Sequence, residues 1–584
     1  MLALVLLSSI YVTGFFLLKL LNVRWYKLEW VSIIYLFGLL SITWLLFLFS
    51  LCMPYSSAIP AACLTGMLGA YWLAKRYAQA PSDPLPLTNT TWWWLSSYIV
   101  FWIILFSLLL PTRLLQEKQD GWYSGGSTWG DIALHTTLIN SFAQHPALDL
   151  SLPVFPQKNL TYPFLFDFYT GLLVKTGLSI QTSLLLTTLL TAVSLLLLLF
   201  FLLLRLSGSR FIAWFGASVL FLNGNAGSWY AWQEWRTSQL PLSDFFLHLN
   251  KSYVLYPEKN LHWAQFLTDY LLPQRGILVG FSVFLLTCYC LYFLLEKKRV
   301  APQTIRIVIA VLLGATPFFH IHTFFVLCGV LAWFVLLDVL SHRSRLRDWL
   351  VPGLIATCCA MPQLYWQFSG NFTSGFTRFV WGWYFNGENG IQFWIRNLGM
   401  EFFTALFGGI YLLKTKKIHP LVGLLVLPLT ALFIISNYII FQPNEWDNTK
   451  FFLYSHFAFT ILTLYGLAKL LKYRIWGVLV TILLLFFLLV GGGIMVLREL
   501  TSSWQTNSTA DLTVARFVTK NTAPTALFLT ADTHNHPIPM LAGRSVVQGY
   551  PGWLWTYGIA YKSTEADVKT MYRGGEQAIA LLKH

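Results

Sequence analysis

Asp131 is the residue best placed to do chemistry. It follows the run Gly125-Gly126-Ser127-Thr128-Trp129-Gly130 and opens a helical stretch, with His135 one turn further on. A carboxylate so placed can take a proton from a hydroxyl, which is a poor nucleophile unassisted, or hold a divalent metal. Its competing role is to cap the helix beside the glycines. Two cations stand at the mouths of apolar runs: Arg275 in Leu272-Pro273-Gln274-Arg275-Gly276, and Lys450 in Glu445-Trp446-Asp447-Asn448-Thr449-Lys450, where Asp447 is a near neighbour. Arg and Lys hold phosphate through charge-assisted hydrogen bonds, although long cations also snorkel to lipid headgroups. Phe319-His320-Ile321-His322-Thr323 sets two imidazoles in a tight turn, for substrate or for structural hydrogen bonding. We take His135, Arg275, His320, His322, Asp447 and Lys450 as candidate substrate-binding residues and Asp131 as the candidate catalytic one. A looser cluster, Asp532/His534/His536, reads better as a turn than as a metal site.

These polar residues are rare exceptions in their chain. Of its 584 residues 56% are hydrophobic and 11% charged, against roughly 25% charged in a soluble domain. Such a chain cannot cover a water-facing surface. Apolar runs occupy 1–21, 29–51, 57–74, 92–111, 181–204, 211–223, 276–295, 305–319, 323–340, 349–366, 393–413, 418–441, 451–471 and 475–497. A hydrocarbon core of about 30 Å calls for roughly 20 residues of helix. The expected fold is an all-α polytopic membrane protein of about fourteen transmembrane helices.

Charge orients it. Alternate connections carry Lys19/Arg24/Lys27, Lys75/Arg76, Arg205/Arg210, Lys297/Lys298/Arg299/Arg306, Arg343/Arg345/Arg347, Lys414/Lys416/Lys417 and Lys469/Lys472/Arg474. The only acids among them are Glu29, Asp83, Glu296, Asp338 and Asp348. Basic residues collect on the cytoplasmic side, so both termini are expected outside. The net charge of +15 follows from this topology and points to no nucleic acid. The first run has no basic residue before it and Lys19 after it, the reverse of a signal peptide. All seven cysteines lie in or beside apolar runs, which leaves no disulfide framework outside.

The long connections fall on the outer side, giving N-terminal helices (1–111), a first outer loop (112–180), a helical core (181–497) with outer loops 224–275, 367–392 and 442–450, and a tail (498–584). In the first loop an apolar stretch, 164–173, follows Tyr162-Pro163 and is too short to span, so it is expected to lie on the membrane surface. The tail is expected to be a small α/β domain with helices near 510–520 and 564–582 and a buried strand over Ala526–Thr530. Trp229, Trp232, Trp235, Trp381 and Trp383 are available either to stack on sugar rings or to anchor the chain at the interface.

An outer loop with an Asp just before an amphipathic helix, then Tyr-Pro opening a second short helix, resembles the first loop of GT-C glycosyltransferases. The superfamily includes protein O-mannosyltransferases and aminoarabinose transferases. The resemblance rests on Gly130-Asp131-x3-His135 and Tyr162-Pro163-Phe164 by motif, and on 112–500 by topology. It implies an enzyme that moves a sugar from a polyprenyl-phosphate donor to an extracytoplasmic glycan, lipid or protein acceptor. Asp131 would be catalytic base or ligand to a divalent ion (Mg or Mn), and Arg275 and Lys450 would hold the carrier phosphate. The chain departs from the pattern in two ways: four helices precede the loop instead of one, and Asp131 has no adjoining acid. Short loops and the missing disulfides point to a cell membrane of the bacterial inner-membrane type. A transporter or lipid flippase, or a non-catalytic envelope-assembly protein, stays open as the rival.

Overall fold

A computed structural model describes residues 1–21, 23–78, 85–249, 251–296, 302–369, 377–415 and 418–583. Asp83, Lys297, Lys298, Arg299, Lys416 and Lys417 lie outside the described residues. The chain is a mostly helical, multi-pass membrane protein: among the described residues ten helices are long and apolar enough to cross a bilayer. They are Leu2–Lys19, Lys27–Ser50, Tyr55–Tyr77, Asn89–Arg113, Ile180–Ser207, Arg275–Glu296, Ile321–Leu340, Pro420–Tyr438, Glu445–Leu470 and Arg474–Thr501.

The other four apolar runs are helical too, but differently built. Arg210–Phe221 and Pro302–Ala315 have 12 and 14 residues. At about 1.5 Å per residue both fall short of a 30 Å core. Arg347–Phe368 contains Pro352 and Pro362. The run 393–413 is not one helix. Gly399, at φ +58°, ends Gly390–Leu398 and starts Met400–Lys414. A Cβ there would also sit 3.2 Å from the Asn225 backbone, so both conformation and space favour glycine.

The first loop and the tail fold as one body. Gly121–Ser124 pairs antiparallel with Gln116–Lys118 on one side and with Trp504–Ser508 of the tail on the other. Further ties are Val546 N to Pro153 O (2.9 Å), Gly549 N to Val154 O (2.7 Å) and Asn140 Nδ2 to Met540 O (2.7 Å). The tail helices are Thr509–Asn521, Lys562–Arg573 and Glu576–Lys583, with two short ones between the first two. The strand expected over Ala526–Thr530 is reduced to Leu527–Phe528, paired in parallel with Ser545–Val546, and Leu527 is exposed. Only one side of it meets the small apolar cluster of Ala515, Val518, Ile538 and Val546.

The stretch expected to lie on the membrane surface is instead inside the protein. Leu165–Lys175 is buried along nearly its whole length against Trp129–Gln144, Ile180–Ser207 and Lys27–Ser50. It has apolar residues on every side, and a helix of that kind needs neighbours all round. Asp167 therefore lies deep within the fold.

Candidate functional site

Trp129–Gln144 begins at the N-cap Thr128, whose hydroxyl donates to Arg113 O rather than capping its own helix. Asp131 occupies the third helical position, and no cap hydrogen bond forms there. The capping role therefore does not account for it. Its carboxylate faces a cavity of about 450 Å³. Burial, reinforced by the nearby Asp447 charge, raises its pKa above the usual carboxylate range, while His135, Lys450 and a contact from Gln274 pull the other way. The net result is a carboxylate with raised proton affinity, as a general base requires.

His320, His322, Asp447 and Lys450 line the same cavity, brought there from segments more than a hundred residues apart. Lys450 Nζ lies 3.0 Å from Asp447 Oδ1. Their turn is held by Asn448, whose Nδ2 donates to Ser436 O (2.9 Å) and Ile439 O (2.7 Å). Glu445 points away and pairs with Arg378 at 2.6 Å. The His320 turn lies directly on Arg275–Glu296 because Gly280 leaves room. A Cβ on Gly280 would stand 2.3 Å from Thr323 Oγ1 and 2.9 Å from His320 Nδ1. From the other side Gln363 accepts from Phe318 N (3.0 Å) and Gln367 donates to Pro317 O (2.9 Å).

Arg275 and His135 are placed elsewhere. Arg275 is 1% exposed, and its Nε donates to Asp167 Oδ1 at 3.0 Å. Its terminal nitrogens donate to Thr170 (2.6 Å), Thr187 (2.9 Å) and Thr188 (2.9 Å). Its face covers Phe166, 4.6 Å from the ring centroid. With its donors engaged on protein, Arg275 is not available to a phosphate, contrary to the sequence-based expectation. His135 Nδ1 meets the other Asp167 oxygen at 2.6 Å and is 2% exposed, so it too falls behind the cavity wall rather than on it. The buried Asp167 compels this arrangement, since an acid taken out of water needs partners. Asp167 in the apolar sequence Leu165-Phe166-Asp167-Phe168-Tyr169 was the signal that could have predicted it.

The cavity also holds one acid that sequence reasoning missed. Asp269 sits on the π-turn Leu267–Leu271, a rare conformation that recurs at functional sites. It accepts from Gln265 N (2.8 Å) and Thr268 Oγ1 (3.1 Å), and burial raises its pKa to about 6. Tyr162 and, from the tail, Trp553 and Tyr557 complete one wall, with the two tyrosine rings 5.5 Å apart. The outer tryptophans, open to either stacking or anchoring on sequence grounds, are not there. None of Trp229, Trp232, Trp235, Trp381 and Trp383 lines the cavity, and Trp383 is fully buried. His534 packs on Trp129 (3.8 Å between ring centroids) and His536 caps the short helix Pro537–Met540, as expected of a structural turn.

Apolar space adjoins the polar cavity. A groove of about 820 Å³ runs between Lys27–Ser50, Pro302–Ala315 and Arg347–Phe368. Phe318 and Trp366 line it, while their chain neighbours Phe319 and Gln367 line the cavity. A larger groove of about 1370 Å³ opens between Met400–Lys414 and Pro420–Tyr438. Among the described residues no group of three or more His, Cys, Asp or Glu side chains is placed to hold a metal ion. Neither a protein-family model nor a curated protein matches the chain.

Proposed function

We propose that the chain is a membrane glycosyltransferase of the GT-C kind, moving a sugar from a polyprenyl-phosphate donor to a glycan, lipid or protein acceptor. The observation that carries this reading is the composition of one cavity. In a chain that is 11% charged, it gathers Asp131, Asp269, Asp447, Lys450 and two histidines beside an apolar groove. Asp131 takes the proton of an acceptor hydroxyl, whose oxygen attacks the anomeric carbon as the bond from that carbon to the phosphate oxygen breaks. The phosphate leaves with the bonding pair, and the Lys450 side of the cavity stabilises its charge. A divalent ion such as Mg or Mn would be held here by a carboxylate of Asp131, Asp269 or Asp447 and would neutralise charge on the phosphate.

The cavity sits at the start of Arg275–Glu296, Ile321–Leu340 and Thr449–Leu470 and at the end of Arg347–Phe368. Arg343/Arg345/Arg347 and Lys469/Lys472/Arg474 mark the opposite ends of these helices. By the charge rule the cavity then faces away from the cytoplasm. Transport would call for binding groups near mid-span on interrupted helices. In our reading the chain crosses a bacterial inner membrane fourteen times with both termini outside, the helices too short to span alone being packed against longer neighbours within the bundle. The pairing of the tail strand with the first loop supports placing those two segments on one side. Reporters fused after Arg210 and Arg347 are expected in the cytoplasm, and those after Gln157 and Lys520 outside. One reporter on the wrong face breaks this count. The activity is tested with purified protein and a polyprenyl-phosphate sugar, comparing wild type with Asp131→Asn.

A further inference from the structure

The two cavity histidines have their protons assigned by their neighbours. The Gln442 side-chain nitrogen can only donate, and it lies 2.5 Å from His322 Nε2. That nitrogen is therefore the acceptor, and Nδ1 carries the hydrogen. His322 is 6% exposed, and its Nδ1 has no hydrogen-bond partner among the described residues. His320 is set the opposite way round. Its Nδ1 accepts from the Thr323 backbone N–H at 3.3 Å, so its hydrogen is on Nε2. Burial and the Lys450 charge lower the His320 pKa to about 3, which keeps the ring neutral. The rings lie 5.1 Å apart.

A buried donor without a partner is costly, and it marks a place where something else supplies the acceptor. In these tautomers the imidazole nitrogens left over carry hydrogen, so the two rings are donors rather than metal ligands. This wall carries the His320 Nε2–H, the buried His322 Nδ1–H and the Lys450 ammonium on its Asp447 partner, donors suited to an anion with several oxygens.

We propose that His320, His322 and Lys450 form an oxyanion site for a phosphate ester, with neutral imidazole N–H groups doing the work first expected of Arg275. This deepens the glycosyltransferase reading and names the part of its site that takes the donor's phosphate. Phosphate on an isoprenoid chain is the form that uses the adjoining apolar groove as well.

The test is equilibrium binding to purified protein in lipid nanodiscs, with farnesyl phosphate, inorganic phosphate, farnesol and Zn²⁺ as probes. Farnesyl phosphate is expected to bind best, inorganic phosphate to compete with it weakly, and farnesol to bind at least tenfold more weakly. His320→Phe, His322→Phe and Lys450→Met should each weaken farnesyl phosphate by about tenfold, the effect of one lost hydrogen bond to a charged group. His320→Gln and His322→Asn, which restore an N–H near Nε2 and Nδ1 respectively, should recover most of the binding. These variants keep the test valid if the Phe forms fail to fold. Farnesol binding as tightly as farnesyl phosphate overturns the proposal. So does tight Zn²⁺ binding that needs both histidines, or a His320→Phe/His322→Phe double variant within twofold of wild type. If phosphate binding follows this pattern but wild type transfers no sugar, the glycosyltransferase reading fails and the oxyanion site stands.

Discussion

Two polar clusters share the helix Trp129–Gln144, Asp131 belonging to one and His135 to the other, and are built from similar residue types, yet they are opposites. Around Asp167, both carboxylate oxygens, the Arg275 guanidinium and His135 Nδ1 are engaged on protein partners. Around Asp131, among the described residues, a carboxylate makes no cap bond, an imidazole N–H is unpartnered, and an ammonium has Asp447 as its one ion partner. Burying charge is costly, so a cluster that serves only the fold closes on itself. A cluster left open keeps its unpaired groups for something absent from the fold. The side chain that looked most like a phosphate ligand, Arg275, belongs to the closed cluster.

Paired substitutions separate the two clusters. The largest effect is expected from Asp131→Asn, with turnover down roughly 10² to 10⁴-fold and stability near wild type. Asp167→Asn is its counterpart. It strands Arg275 without a counter-charge and should cost about 3–5 kcal/mol of stability. Turnover and denaturant midpoints measured on the same preparations decide the matter. If Asp131→Asn mainly lowers stability, or Asp167→Asn mainly lowers turnover, the division is wrong.

Asp269 gives a smaller effect with a defined pH signature. Its folded pKa of about 6 lies above the unfolded value near 3.9. The folded state therefore holds the extra proton between those values, and this group's contribution to stability falls as pH rises from about 4 to about 6. At about 1.4 kcal/mol per unit, the loss is at most about 3 kcal/mol. Asp269→Asn should flatten the melting profile across that window. An unchanged profile would move Asp269 out of the low-dielectric wall.

The smallest expected effects compare aromatic residues. Trp553→Ala, in the cavity wall, should raise the acceptor KM several-fold. Trp229→Ala, on an exposed surface, should leave both KM and kcat unchanged and stability within about 0.5 kcal/mol. Equal effects at the two positions would return Trp553 to an anchoring role.

Much of the fold was legible because hydropathy acts locally. Every apolar run lies on a helix, since a backbone in lipid has to satisfy its hydrogen bonds within the segment. The runs misread as to form are those where a single residue or a neighbour intervened. Gly399 breaks 393–413, and the first loop and core enclose Leu165–Lys175. The site was legible to the extent that Asp131, the histidine turn and Asp447/Lys450 are polar residues at the ends of apolar runs. Asp269 gave no comparable signal, because its place in the cavity depends on a π-turn, and Trp553 and Tyr557 reach the cavity only because the tail docks onto a loop nearly four hundred residues away.

By itself, then, the sequence determined the class of the molecule, the course of its helices and the few charged residues that burial makes expensive. Composition and periodicity act along the chain, and no tertiary contact is needed to express them. Which of those charges pair with each other, and which face open space, was decided only by the tertiary structure. Arg275 and Lys450 look alike at the mouths of their helices. Rotation toward Asp167 closes the first into the fold, and the turn held by Asn448 leaves the second facing the cavity.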